Sequence, residues 1–158
     1  MTKGHTIVRY HDICAGHRVV NHESKCKHLH GHNYRIHFTC TAAQLDHLGR
    51  VIDFSVVKEK LCMWVEDNWD HKFLHWEKDP LINLISEALS PGSDMFHIQM
   101  SDTFLNSLVS LPFNPTAENL AEYLVDVVGP MQLNGTGVVL THVKIEETAK
   151  CHAAYGVL

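Results

Sequence analysis

The sequence predicts an α+β domain with helices packed on one face of an antiparallel sheet. Two strand-like stretches near its start and two near its end enclose a middle of helical patterns, and the connections are short. From His5 to Cys14, β-branched and aromatic residues alternate roughly with polar ones, which reads as a strand. From His32 to Thr41 the alternation puts Tyr34, Ile36, Phe38 and Cys40 on one face of a second strand. Between them, Ala15 to Gly31 is too long for a tight hairpin turn and carries a large share of the reactive side chains, as functional loops often do.

After a turn at Gly49, Asp53 or Ser55 caps a helix with Val57, Leu61, Trp64 and Val65 at helical spacing, ending near Trp69. A second helix runs from Pro80 to Leu89, capped by Asp79, with Leu81, Ile82, Ile85 and Leu89 as its apolar stripe; Ser90-Pro91-Gly92-Ser93 breaks it. Asp94 to Ser110 carries no clear period. Asn114-Pro115-Thr116 starts a third helix that should stop at Gly129-Pro130. From Gly137 to Glu147 the alternation places Val139, Thr141, Val143, Ile145 and Glu147 on one face of a strand, and a short strand from Cys151 to Tyr155 follows. A sheet of few strands leaves edges that other subunits can cover, so an oligomer is expected.

The length of 158 residues fits one domain spanning residues 1–158, and 45% hydrophobic with 20% charged residues is ordinary globular composition. A net charge of -5 argues against a general nucleic-acid partner. No apolar run reaches the ~20 residues that cross a bilayer, and no apolar signal core follows Lys3. No membrane role is expected, and a cytoplasmic location is. Five cysteines without clustered spacing argue for reduced thiols.

Histidine is the outlier, at 14 residues, many of them between His5 and His37. The sharpest local pattern is Cys26-Lys-His-Leu-His30-Gly-His32, preceded by Ala15-Gly16-His17. In extended backbone His30 and His32 point to the same side, with Gly31 allowing close approach. His17, on the neighbouring strand, supplies a third imidazole, and three histidines with an open fourth position are the pattern of a catalytic zinc. His22 and His28 are rival ligands that spacing does not separate from these. Lys25, Lys27 and a nearby cation would favour thiolate at Cys26. Asp70-His71 is a candidate proton-transfer pair. Glu147 shares a strand face with apolar residues, where a carboxylate needs a donor.

In order along the chain, Ala15-Gly16-His17, Cys26-x-x-x-His30-Gly31-His32-Asn33-Tyr34, Val51-Ile52-Asp53-Phe54, Asp70-His71-Lys72, Asn114-Pro115-Thr116-Ala117-Glu118-Asn119-Leu120 and Glu147-Thr148 resemble the 6-pyruvoyltetrahydropterin synthase family. The three residues between Cys26 and His30 resemble its 6-carboxy-5,6,7,8-tetrahydropterin synthase branch, which belongs to queuosine biosynthesis. The resemblance implies a tunnelling fold, in which sheets from several subunits, as a hexamer or related homo-oligomer, close into a barrel with active sites at subunit interfaces. It implies Zn2+ on His17, His30 and His32, with Cys26 as acid or base. Asp70 and His71 would come from a neighbouring subunit to complete the proton relay. Glu147 would anchor the pterin, with Thr116 nearby. The implied substrate is 7,8-dihydroneopterin triphosphate, released as 6-carboxytetrahydropterin, acetaldehyde and triphosphate, with Arg18, Lys25 and Lys27 placed to meet the triphosphate. Relative to compact family members the chain carries an insertion at about 74–105. Competing readings are a pyruvoyl-type or sepiapterin-cleaving enzyme, a histidine-ligated zinc hydrolase, and a non-catalytic zinc-stabilised oligomeric binding module.

Overall fold

A computed structural model describes residues 3–90, 92 and 101–157. The chain opens with a long hairpin, β1 (Thr6–His17) against β2 (His30–Ala42), and adds β5 (Val138–Thr148) and β6 (Cys151–Gly156) beside β2. These four strands are antiparallel. Two short strands, β3 (Phe73–Trp76) and β4 (Leu108–Leu111), join parallel on the far side of β1, giving the order β4-β3-β1-β2-β5-β6. The expected α+β class therefore holds, with an antiparallel centre and a parallel margin. Four-residue strands are too short to show a period, so the sequence did not announce them.

Helices cover one face. Asp53 caps the first run by accepting the Ser55 N–H at 2.8 Å. That run passes from α1 (Phe54–Val57) through a π turn at Lys58–Cys62 into α2 (Met63–Trp69). Asp79 caps α3 (Pro80–Ala88), with Pro80 in the first turn where its missing N–H costs nothing. α4 (Ser101–Asn106) leads into β4. Residue 91 and residues 93–100, which include half of the expected helix-breaking stretch, lie outside the described residues. The core forms where Tyr34, Ile36, Phe38 and Cys40 of β2 meet Leu61, Val65 and Trp69 of the first run and Leu120 and Leu124 of the next.

Two expectations are corrected. The helix starting at Thr116 does not stop at Gly129-Pro130. It runs from α5 (Ala117–Tyr123) through a π turn at Leu124–Val128 into α6 (Gly129–Leu133). The Gly129 N–H reaches back to Leu124 O, and that wider turn puts Pro130 in a new first turn, where proline is tolerated. Gly129 is there for space: a Cβ would lie 2.9 Å from Leu140 Cβ on β5.

The alternation of β5 also breaks. Thr39 pairs with His142 but Cys40 pairs with Leu140, so Thr141 is an extra residue, a β-bulge. Val138 and Leu140 are buried before the bulge and Val143 and Ile145 after it, leaving Val139 outside. A single unbroken face was the wrong reading, because the bulge moves the phase by one.

Gly129→Ala should lower stability by about 1–2 kcal/mol, because a clash with the rigid Leu140 Cβ outweighs a helix-propensity gain of about 1 kcal/mol. Urea unfolding checks this, and a variant as stable as the parent would show that the helix can back away from β5.

Candidate metal centre and active site

The β1–β2 register sets His17 opposite His30 and Ala15 opposite His32. His30, His32 and Tyr34 share one face of β2, and that face looks toward the helices, as His17 does. The ligating nitrogens of His17, His30 and His32 lie within 4.8 Å of one another. The rings meet edge to face, with centroids 4.5 Å apart for His17–His30, 5.1 Å for His17–His32 and 5.0 Å for His30–His32. Gly31, opposite Gly16, lets the strands close here, since a Cβ on it would sit 3.0 Å from Ala15 O.

Backbone carbonyls fix the tautomers. His17 Nδ1 donates to Pro115 O at 2.7 Å, and His30 Nδ1 donates to His28 O at 2.7 Å. A carbonyl only accepts, so the hydrogen sits on Nδ1 and each Nε2 presents a lone pair. The Nε2 atoms of all three histidines are buried without a hydrogen-bond partner among the described residues. The unpaired lone pairs of His17 and His30, with the unpartnered Nε2 of His32 converging on them, suit a cation that takes imidazole ligands, and the group fits a metal on that ground. Burial, reinforced by His30 and His32 and opposed by the Pro115 carbonyl, pushes His17 down to about 4. Burial also lowers His32, against the pull of Glu147. Neutral imidazoles are the ligating form.

The rival histidines fall away. His22 Nδ1 accepts the Ser24 N–H at 2.9 Å, and His28 contributes its backbone carbonyl to His30. Neither joins the three-histidine group.

Cys26 sits on a one-turn helix, Lys25–Lys27, in the loop between β1 and β2. With His17, Thr116 and Glu147 it lines a cavity of about 320 Å³. Glu147 approaches the histidines, with carboxylate oxygens 3.9 Å from His17 Nε2 and 3.7 Å from His32 Nε2. It occupies a second bulge, the residue left over where Glu146 pairs with His152 and Thr148 with Cys151. Thr116 caps α5 by accepting the Asn119 N–H at 3.2 Å.

Asp70 and His71 are not in that cavity. They border a wider depression with Cys14, Asn33 and Glu146, which meets the first at Glu147. His71 has a left-handed backbone, φ 56, unusual for a residue other than glycine. Its N–H donates to Cys14 O at 2.7 Å and its Nδ1 meets Asp70 Oδ2 at 2.7 Å, while 80% of its side chain is exposed. Burial raises the Asp70 carboxyl, but the Cys14 N–H and His71 outweigh it and hold the group below its ordinary range.

Arg18 was expected to face a triphosphate, and the structure corrects this. Its Nε and Nη2 each donate to Asp79 at 2.6 Å, so the guanidinium is already engaged.

A model of the family described as 6-pyruvoyl tetrahydropterin synthase matches residues 6–157. The chain belongs to this family. Among its relatives, a 6-carboxy-5,6,7,8-tetrahydropterin synthase of Rickettsia bellii is 32% identical over 137 residues, 87% of this chain and 89% of the relative. One of the same name from Synechocystis is 37% identical over 121 residues, 74% of this chain and 91% of the relative. Among solved structures, an uncharacterized protein of Wolinella succinogenes superposes with a TM-score of 0.82 at 23% identity, covering 98% of this chain and 99% of that one. The Caenorhabditis elegans 6-pyruvoyl tetrahydropterin synthase does so with a TM-score of 0.60 at 22% identity, covering 97% and 95%. The pterin synthase fold is thereby established, and with the family comes the enzyme class: the chain is a lyase.

What sequence reasoning passed over is how the segment before α5 supports the site. Asn114 clamps Val20 from both sides, accepting its N–H at 2.9 Å and donating to its carbonyl at 3.0 Å. Pro115 holds His17, and Thr116 starts the helix. Asn114-Pro115-Thr116 reads in sequence as a helix start and a family motif, but its contacts to His17 and Val20 stay hidden there because they cross more than ninety residues of chain. His152 and Cys151 also line the cavity.

The depressed pKa of His17 carries a stability consequence with a definite sign. An unfolded chain takes up a proton near 6.5 and the folded one only near 4, so the metal-free protein keeps this contribution above pH 6.5 and loses it as pH falls toward 4. The loss should reach roughly 3 kcal/mol. Urea midpoints of metal-free protein across that range measure it. His17→Gln should flatten the slope, and an unchanged slope would assign the acid sensitivity to other groups.

Proposed function

We propose that the chain is a zinc-dependent 6-carboxy-5,6,7,8-tetrahydropterin synthase acting on 7,8-dihydroneopterin triphosphate in the cytoplasm, as part of queuosine biosynthesis. The observation that carries this reading is the convergence of three unpaired imidazole nitrogens beside a cavity shared by Cys26, Thr116 and Glu147. The names of the relatives from Rickettsia bellii and Synechocystis support the branch.

His17, His30 and His32 would hold the zinc, with His17 and His30 kept in the ligating tautomer by their carbonyl partners. Bound there, zinc supplies Lewis acidity that makes substrate hydroxyls and the adjacent C–H bonds easier to deprotonate. Cys26, on the cavity wall, gives and takes a proton at its Sγ. Glu147 accepts hydrogen bonds from the amino and ring N–H groups of the pterin, answering a carboxylate that has no protein donor within hydrogen-bond distance among the described residues. The Thr116 hydroxyl lines the same wall.

His71, with its Nδ1 on Asp70, carries an exposed ring that does not line the Cys26 cavity of its own chain. In the proposed homo-oligomer it serves the cavity of a neighbouring copy, where its Nε2 moves the second proton.

Anaerobic incubation of zinc-loaded protein with 7,8-dihydroneopterin triphosphate should give 6-carboxytetrahydropterin by mass and acetaldehyde in equal amount. A pyruvoyl product would keep the site and change the branch, and no turnover would sink the reading. Cys26→Ala should lower kcat by about 10²-fold or more, whereas a zinc hydrolase would tolerate it. Chelation should abolish turnover and leave far-UV circular dichroism largely intact; collapse of the fold would mark the metal as structural.

A further inference from the structure

No described residue between His71 and Asn114 lines the cavity, yet one of them is driven deep against the end of β1 that carries His17. Asp79 is fully buried. Its Oδ1 accepts the N–H groups of Leu81 at 2.9 Å and Ile82 at 3.3 Å, capping α3. The same carboxylate takes both prongs of the Arg18 guanidinium, Nε to Oδ2 and Nη2 to Oδ1, each at 2.6 Å. This is the bidentate geometry that fixes direction as well as distance.

Arg18 has one more nitrogen to use, and its Nη1 donates to Lys27 O at 3.0 Å. Beside it, the Val19 N–H donates to Cys26 O at 2.7 Å. The two residues that follow His17 therefore grip the two successive carbonyls that start at Cys26. The turn bearing Cys26 is a single 3-10 turn with no side-chain cap, and such a turn has little stability of its own. What fixes the thiol relative to the histidines is this pair of hydrogen bonds, and what fixes the Arg18 half of it is Asp79.

We infer that Asp79 is a positioning residue for Cys26, acting through Arg18 to hold the Cys26 turn against the cavity. The inference deepens the function proposed above and rests on it for the role of the thiol. It also gives α3 a purpose. The helix brings a capped, buried carboxylate to the one arginine that reaches the loop.

The test uses the full-length, metal-loaded protein and compares Asp79→Asn and Arg18→Lys with the parent. Asparagine caps a helix as well as aspartate, so α3 keeps its start while the charged fork is lost. Lysine keeps the charge of Arg18 and loses the second and third contacts. Iodoacetamide labelling is followed by peptide mass at Cys26, with the exposed Cys14 and Cys151 as references in the same digest. The Cys26 rate should change by about threefold or more relative to both references in each variant. Bound metal per chain should stay the same. With the pterin substrate, kcat should fall about tenfold or more while KM moves little, since the loss is one of orientation.

A labelling ratio unchanged in both folded variants would overturn the inference, as would a uniform rise at all three cysteines, which marks general loosening. If the parent does not turn the pterin over but the Cys26 contrast persists, the positioning stands and the proposed substrate fails.

Discussion

Three unpartnered imidazole nitrogens pointing at one another inside a protein form an arrangement that nothing local stabilises. Each is a polar atom removed from water without a hydrogen-bond partner among the described residues, at a cost of about 1–3 kcal/mol apiece. The β1–β2 ladder of twelve residue pairs carries that cost. His17 and His30 are its last pair, at the end where the chain leaves for the Cys26 loop and returns. A slip of one residue would turn His30 and His32 to the other face, together with the buried Tyr34, Ile36 and Phe38. The apolar core of β2 and the three-histidine group are thus specified by the same register, and neither can move without the other.

The second constraint is how a strand buried among apolar residues delivers a carboxylate to that point. β5 does it with two bulges. The one at Thr141 shifts the phase so that Val143, Ile145 and Glu147 share the face that Leu140 held before it. The one at Glu147 frees that residue from ladder pairing just where it reaches His17 and His32. Bulges are used in this way to re-aim side chains at sites. Tyr34 lies beneath the same flank, edge-on to His17 and His32 with centroids 5.8 and 5.4 Å away. Burial raises its pKa, so the phenol keeps its proton beside the carboxylate.

What the sequence disclosed divides along physical lines. Period-two alternation located β1, β2 and β5, and helix caps at Asp53, Asp79 and Thr116 located the helix starts, because both are local signals. The three-histidine group was legible because His30 and His32 sit two apart on one strand and His17 ends its partner. Glu147 was legible as a carboxylate in an apolar strand. The bulge at Thr141 was not, since its cause is pairing with β2, and a bulge leaves no residue-type signature here. The helix through Gly129-Pro130 was misread because glycine and proline are breakers by default. Here the glycine serves close packing on Leu140 and the proline follows a π turn. Arg18 looked like a free phosphate contact because its partner, Asp79, lies sixty-one residues away.

The placement of His71 is where a single chain stops explaining itself. A residue other than glycine held at φ 56 stores backbone strain, and here the hydrogen bonds that His71 donates to the Cys14 carbonyl and the Asp70 carboxylate hold it in place. Strain maintained by specific bonds, on a ring that is 80% exposed, is wasteful unless something outside the chain uses the ring. The sheet meanwhile ends in two margins, β4 and β6, each carrying backbone groups that a neighbouring strand can pair. Both features make sense together if copies of the chain join through their sheets. Under the proposed function, the proton carrier would then be fixed in one subunit, and the metal, thiol and pterin anchor in the next. In that arrangement assembly is a condition of catalysis, and the exposed strained histidine is the part of the site that each subunit makes for another.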